Sequence, residues 1–128
     1  MEDLIRSKEY VDFLVGRNGD FDILVSSVIK RVKKRLDYGN SSLVLVLPYM
    51  TAEYRDNKKS FNEYYDDVEI DDEASRRFYK SAFRYRNRHM VDRSDMVVCY
   101  VEKDSGGAYL AKKYAEDSAK KIIDISEE

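Results

Sequence analysis

The stretch Leu43-Val44-Leu45-Val46-Leu47, closed by Pro48-Tyr49, decides the fold class. A strand with one wet face alternates apolar and polar residues. Five consecutive aliphatic side chains instead fit a strand covered on both faces, the habit of parallel sheets in α/β proteins. The stop is equally informative, because proline cannot donate to a sheet ladder and this is the only one in the chain. A second unbroken apolar run, Met96 to Val101 (MVVCYV), has the same reading.

Working outward, Gly39 ends the segment before the first run. It suits the left-handed C-cap of a helix that carries Val25, Val28, Ile29, Val32 and Leu36 on one face and Lys30, Arg31, Lys33 and Lys34 mostly on the other. Asn18 or Asp20 is the candidate N-cap. Further upstream, Tyr10 to Val15 (YVDFLV) is short, β-branched and aromatic, and reads as a strand ending at Gly16. Downstream of Pro48 the pattern blurs, and Thr51 to Tyr65 is expected to be loop plus a short irregular helix. Val68 to Ile70 suits a brief edge strand. Asp71 or Asp72 is the expected cap of a long helix reaching about Val91. After Met96 to Val101, the loop EKDSGG leads to a helix with a small inner stripe, Ala108, Ala111, Ala115 and Ala119, and Lys121 to Ile125 supplies a last strand. Alternating strands and helices predict one domain over residues 1–128, a Rossmann-like three-layer α/β/α fold with a mostly parallel sheet of about four strands.

The chain has 128 residues, 38% of them charged and 43% hydrophobic, enough for one real core and too polar for a membrane protein. The start MEDLIRSKEY has no apolar stretch behind a basic end, so no secretory signal is expected there. One cysteine, Cys99, forms neither a disulfide framework nor a zinc site alone, and a reducing cytoplasm is the matching compartment. No metal is expected, since the sole histidine, His89, has no second histidine and no cysteine near it. Charge is divided sharply: seven residues between Glu63 and Glu73 are acidic, and seven between Arg76 and Arg93 are basic. The two blocks read either as solvated faces or as a nucleic-acid patch beside an acidic flap. The 11 tyrosines suit a ligand cleft, a dimer face or the rim of the core.

One helix position and three loops are candidates for chemistry. On the long helix, Phe78, Tyr79, Ala82, Phe83 and Met90 form an apolar stripe at 100° steps, and Arg86 falls in its middle. A guanidinium on an inward face needs an anion or carbonyls around it. A carboxylate such as Asp92 or Asp95 would satisfy it, and so would a ligand phosphate. Ser105-Gly106-Gly107 sits at a strand-to-helix junction, where glycine permits close backbone approach and free N–H groups attract anions; it is equally an ordinary tight turn. Gly16-Arg17-Asn18-Gly19-Asp20 has the same placement and the same two readings. Pro48-Tyr49 ends a strand on the rim where open α/β sheets bind ligands, so Tyr49 either stacks on a base or plugs the core edge.

The order of these pieces resembles the YpsA-like branch of the SLOG superfamily, relatives of the DprA and LOG proteins. The resemblance is carried by Phe13-Leu14-Val15-Gly16 with Phe21-Asp22, by LVLVLPY, by Arg86-Asn87-Arg88-His89-Met90-Val91-Asp92-Arg93-Ser94-Asp95, and by Ser105-Gly106-Gly107. The most specific piece is R-N-x-x-M-[VI]-D-x-S-D. It implies a nucleotide-type site at the strand ends lined by Arg86, Asn87, Gly106 and Gly107, with Met90 matching beside them. Gly16, Arg17, Asn18, Asp20, Pro48, Tyr49 and Ser105 complete the candidate ligand-binding set. In LOG-type phosphoribohydrolases an R-K-x-x-M segment precedes P-G-G-x-G-T-x-x-E; here only Ser105-Gly106-Gly107-Ala108-Tyr109 remains, and Lys112-Lys113 stand where the catalytic glutamate is expected. The family also opens with a central strand ending in G-H-R, which has no counterpart here, residues 2–8 resembling the end of the helix that follows it. Tyr10–Val15 and Met96–Val101 are therefore expected to pair directly or to be closed by a partner chain.

These readings imply a binding module for a nucleotide-like small molecule, holding a nucleotide or phosphate and forming a homodimer. Two alternatives stand beside it. One is an N-glycosidase or phosphoribohydrolase-like enzyme using Asp20, Asp92 or Glu102 as its carboxylate, against the missing glutamate motif. The other is a DprA-like binder of single-stranded nucleic acid through the basic helix and tyrosines.

Overall fold

The computed structural model describes residues 10–17, 19–36 and 39–127. Asn18 and the helix end read over residues 2–8 lie outside the described residues. The fold is mixed α/β with every ladder parallel, the Rossmann-like alternation expected from the apolar runs. The chain divides into two compact units, Met1–Ile70 and Asp71–Glu128.

In the first unit, β1 (Val11–Val15), α1 (Asp20–Leu36), β2 (Ser41–Leu47), α2 (Ala52–Asp56), α3 (Lys58–Tyr64) and β3 (Asp67–Ile70) follow in order. The sheet order is β1-β2-β3, with Val15 opposite Leu45 and Leu47 opposite Ile70. The apolar run occupies the central strand, where Leu43 to Leu47 are all buried. Leu43, Leu45 and Leu47 share a core with Val15, Ile29, Phe61 and Tyr65. α1 presents Ile29 and Val32 inward, places Asp20 and Asp22 in its first turn and Lys33, Lys34 and Arg35 in its last, as the helix dipole favours. The Gly19 carbonyl accepts from the Ile23 N–H, so Asp20 is the first helical residue and not the cap. Gly39 has φ +63°, the left-handed turn expected of it.

The region after Pro48 is more ordered than expected. Thr51 caps α2 by accepting from the Tyr54 N–H at 3.1 Å, and Asn57 donates its side-chain amide to the Glu53 carbonyl before α3 begins. Phe61 and Tyr65 anchor α3 in the core. Asp66 then ties the unit together, accepting from the Leu43 N–H at 2.7 Å and pairing with Lys33 of α1. Burial opposes its charge, but these two donors prevail and hold the carboxyl below its ordinary range.

The second unit contains α4 (Asp72–Ser75), α5 (Tyr79–Arg93), β4 (Met96–Cys99), α6 (Gly107–Asp117), β5 (Lys121–Asp124) and a 3₁₀ turn (Ile125–Glu127). Two corrections concern the long helix. It is broken: Asp71 caps only α4, accepting from the Ala74 N–H at 3.0 Å, and α5 starts afresh at Tyr79. Consequently Phe78 and Tyr79, placed on the inner stripe by periodicity, are 65% and 57% exposed. Ala82 and Arg86 keep the inward face. The strand Met96–Cys99 is half-buried throughout, less covered than its unbroken apolar sequence suggests, and among the described residues it pairs only with β5. The ladders among the described residues are β1–β2, β2–β3 and β4–β5. The expected direct pairing of β1 with β4 is not among them, so among the described residues the five strands form a sheet of three and a sheet of two in place of one sheet of about four.

α6 ends differently from expectation too. Of the alanine stripe, only Ala115 is fully buried, Ala108 is exposed, and Ala119 lies beyond the helix at φ +57°. The Lys120 N–H bonds the Ala115 carbonyl and the Ala119 N–H bonds the Glu116 carbonyl, a Schellman arrangement whose left-handed position normally holds glycine. Ala119→Gly removes the Cβ strain and is expected to raise stability by about 0.5–1 kcal/mol after the added chain entropy is counted. The check is an upward shift of the urea midpoint at unchanged slope.

Candidate functional site

Arg86 is the largest fully buried side chain among the described residues, 1% exposed. It owes that position to its place between Ala82 and Met90 on the face α5 turns inward. Its Nε donates to Asn87 Oδ1 at 2.8 Å, and its guanidinium lies 5.5 Å from the centre of the Phe83 ring. The other end of the Asn87 side chain reaches the glycine turn: a methyl group built on Gly107 would stand 3.8 Å from Asn87 Nδ2. Arg86, Asn87 and Gly107 are thus brought together as the sequence expected. Met90 lies one turn further along α5, half-buried, and its carbonyl accepts from Ser94 Oγ.

The turn itself is built for backbone contact. Gly106 has φ +96° and ψ 176°, a conformation essentially confined to glycine, and no side chain caps α6. Ser105, Gly106 and Gly107 are all exposed. The first N–H groups of α6 therefore open at the carboxyl end of the β4–β5 pair, beside the Asn87 amide.

The remaining sequence candidates belong to the first unit. Gly16 is buried at the end of β1, Pro48 is fully buried after β2, and Tyr49 is half-buried beside it. Both loops follow the carboxyl ends of neighbouring parallel strands. Asp20 is exposed. Arg17 is committed elsewhere: Nε donates to Glu53 Oε1 at 2.8 Å, Nη1 donates to the Tyr65 hydroxyl at 3.0 Å, and the guanidinium lies 4.9 Å from the Phe61 ring centre. The hydrogen bond to Glu53 pushes its affinity for a proton up, burial opposing. Burial raises the Tyr65 hydroxyl in turn, the Arg17 contact opposing. Arg17 acts here as a strap from the β1 loop to α2 and α3.

Of the three carboxylates considered for hydrolysis, Asp20, Asp92 and Glu102 are exposed; Asp92 accepts from the Tyr114 hydroxyl at 2.7 Å. Asp95, the other carboxylate considered for Arg86, is exposed as well. Among the described residues no group of three metal-ligating side chains gathers, and no helix is long and apolar enough to cross a membrane.

Two polar clusters were not foreseen. Asp124, at the end of β5 with its side chain 1% exposed, accepts from Ser126 Oγ at 2.7 Å, Lys112 Nζ at 2.9 Å, and the N–H groups of Ser126 and Val101. These donors, Ser126 first and Lys112 next, hold its carboxyl well below the carboxylate range. Lys112, on α6, donates also to Glu127 and is held charged by the two carboxylates. An acid ending an apolar strand was the available signal. In the second cluster, His89 Nδ1 lies 2.5 Å from Asp71 Oδ2 and Nε2 lies 3.3 Å from Glu73 Oε2, pinning α4 to α5. Nothing local in the sequence announces that contact.

Cys99 faces Asp124 across the β4–β5 ladder. Burial, helped by the Asp124 charge, pushes its thiol up from an ordinary value of 9.0 to about 11. Only the thiolate attacks disulfides, so the folded chain is expected to react with an aromatic disulfide reagent at neutral pH roughly a hundredfold more slowly than the urea-unfolded chain. Thiol-release rates in the two states check this, equal rates being the contrary result.

The chain matches no family model, no curated protein and no solved structure.

Proposed function

We propose that the chain is a binding module for a nucleotide or nucleotide-derived small molecule, a relative of the SLOG superfamily. In this reading Arg86, Asn87 and the Gly106–Gly107 turn hold the ligand's anionic part. The observation that carries it is the fully buried guanidinium of Arg86 linked through Asn87 to an uncapped glycine turn. Keeping a cation away from water is costly unless anions or oriented dipoles surround it. Helix N-terminal N–H groups at the carboxyl end of parallel strands are the backbone's own anion-binding device, and here the two converge. A homodimer in the cytoplasm is the assembly and compartment this reading implies.

The test is a thermal-shift panel of nucleoside mono-, di- and triphosphates with inorganic phosphate as the smallest probe. A ligand confined to the native state at a hundred times its Kd adds about 2.7 kcal/mol, which is several degrees of melting temperature for a chain of this size. Bound nucleotide should raise the melting temperature in wild type and not in Gly107→Val, whose branched side chain would fill the space beside Asn87. A flat response across the panel, or an undiminished shift in Gly107→Val, rejects the site.

A further inference from the structure

The break between α4 and α5 falls where the sequence holds no helix breaker. Between residues 71 and 93 there is neither glycine nor proline, yet α4 stops at Ser75 and α5 starts afresh at Tyr79. Side chains on either side of the break tie the two helices together. Asp71, its side chain 7% exposed, uses both carboxylate oxygens: Oδ1 caps α4 through the Ala74 N–H, and Oδ2 lies 2.5 Å from His89 Nδ1. The other ring nitrogen, Nε2, faces Glu73 Oε2 at 3.3 Å. Glu73 Oε1 in turn takes Arg77 at 3.0 Å, and the Arg77 guanidinium lies 4.5 Å from the centre of the Tyr85 ring. Two acids from the start of α4 thus converge on one imidazole of α5. α6, the other helix packed on α5, meets it at Asn87 and Arg88 through Gly107 and Tyr114, and its Lys112 is held by Asp124 and Glu127. On α5 itself Arg86, Asp92 and Arg93 stand within about a turn of the ring. Arg86 is turned inward, Asp92 accepts from the Tyr114 hydroxyl, and Arg93 is exposed.

We propose that this contact is a pH-sensitive clamp: the charged His89 ring docks α4 on α5, and loss of one ring proton to solvent releases α4. An imidazole protonated on both nitrogens donates on both sides, whereas the neutral ring has one donor and one lone pair. A lone pair turned toward Asp71 or Glu73 meets a carboxylate oxygen where a donor stood. The neutral ring therefore keeps one partner and repels the other. Imidazole is the side chain that ordinarily changes charge between about pH 5 and 8. The pairing stabilises the docked helix only while the ring is charged, so the clamp is closed in mildly acidic solution and loosens as pH rises. α4 spans four residues and buries only Ala74, so apolar packing adds little to hold it in place. The inference concerns α4 and His89 and does not depend on the small-ligand reading.

The experiment follows backbone amide exchange in the full chain at about pH 5.5 and about pH 8, each rate normalised to the intrinsic rate at that pH. The amides of residues 74–77 report on α4, since they bond to Asp71, Glu73 and Ala74. Their protection should fall at least about tenfold from the lower pH to the higher, the factor that a hydrogen bond to a charged group represents. Protection on β2 should stay constant, showing that the chain remains folded. His89→Gln, neutral throughout, should show the lower protection at both pH values. Glu73→Gln keeps the Asp71 contact and removes the charge that a neutral ring would face, so its protection over residues 74–77 should vary much less with pH. Both side chains are partly exposed, so both variants should fold. Equal wild-type protection at the two pH values, or the same fall with pH in His89→Gln, overturns the inference. So does a His89→Gln chain that is less protected than wild type by the same factor at both pH values, because the ring is then a packing contact whose charge does not matter.

Discussion

Arg86→Ala is expected to abolish the nucleotide-induced thermal shift and to lower the unfolding free energy by about 2–5 kcal/mol. The two effects have separate origins. Truncation removes a long buried stem and leaves a cavity in the face α5 presents inward, and it strips Asn87 Oδ1 of its donor. Loss of ligand response follows from loss of the charge. Because a variant this destabilised could fail to fold, Arg86→Lys and Asn87→Ala accompany it. Lysine keeps the charge on a flexible stem but lacks the planar fork, so Arg86→Lys should fold and bind nucleotide more weakly than wild type. Asn87→Ala keeps Arg86 and unties it from the Gly107 turn, and should weaken binding with a small change in stability. Urea denaturation reads the first effect and the nucleotide panel the second. A folded Arg86→Lys or Asn87→Ala chain with a wild-type ligand response would move the site elsewhere.

Leu45→Ala should destabilise the chain comparably, by about 2–5 kcal/mol, and leave the ligand response of the folded fraction intact. Leu45 is 0% exposed, in the centre of the middle strand, with neighbours in register on both sides at Val15 and Val68. Packing from two adjoining strands and from the helices below leaves little room for the site to relax around the missing atoms. The denaturation midpoint should fall with its slope unchanged. A loss below about 1 kcal/mol, the range of tolerated surface changes, would show that this strand is not the core.

Much of the fold was legible because the relevant signals were local. Five aliphatic residues before a proline specify a covered strand, and one-face spacing ending at Gly39 specifies α1. The break before α5 was not legible, since the apolar spacing runs through Arg76–Phe78 without interruption while the Asp71 cap acts only on α4. The paired helices α2 and α3 depend on the Thr51 and Asn57 side chains competing for backbone groups, which hydrophobic periodicity does not register. At the site, the inward direction of Arg86 followed from its angle on the helix, and its neighbour Asn87 meets Gly107 as the order of motifs suggested. Arg17 shows the opposite case. Its glycine-flanked loop looked open to a ligand, but Glu53 and Tyr65, far along the chain, occupy its donors. Ala119 carries no sequence mark at all, because its left-handed conformation is imposed by the Schellman bonds around it.

The parallel ladders carry a kinetic consequence. Val11 pairs with Ser41, Val44 with Asp67 and Met96 with Lys121, so every strand pair must close a helix-bearing excursion of chain before it gains its first bond. Such non-local closure slows folding toward the millisecond-to-second regime and leaves the aliphatic strands Leu43–Leu47 and Met96–Cys99 unpaired in early intermediates. During synthesis the β1–β2–β3 sheet is complete once Ile70 emerges, whereas β4 waits for β5. Misassembly and aggregation should therefore concentrate in the later pair, β4 and β5, and a slower or cooler synthesis should favour soluble product.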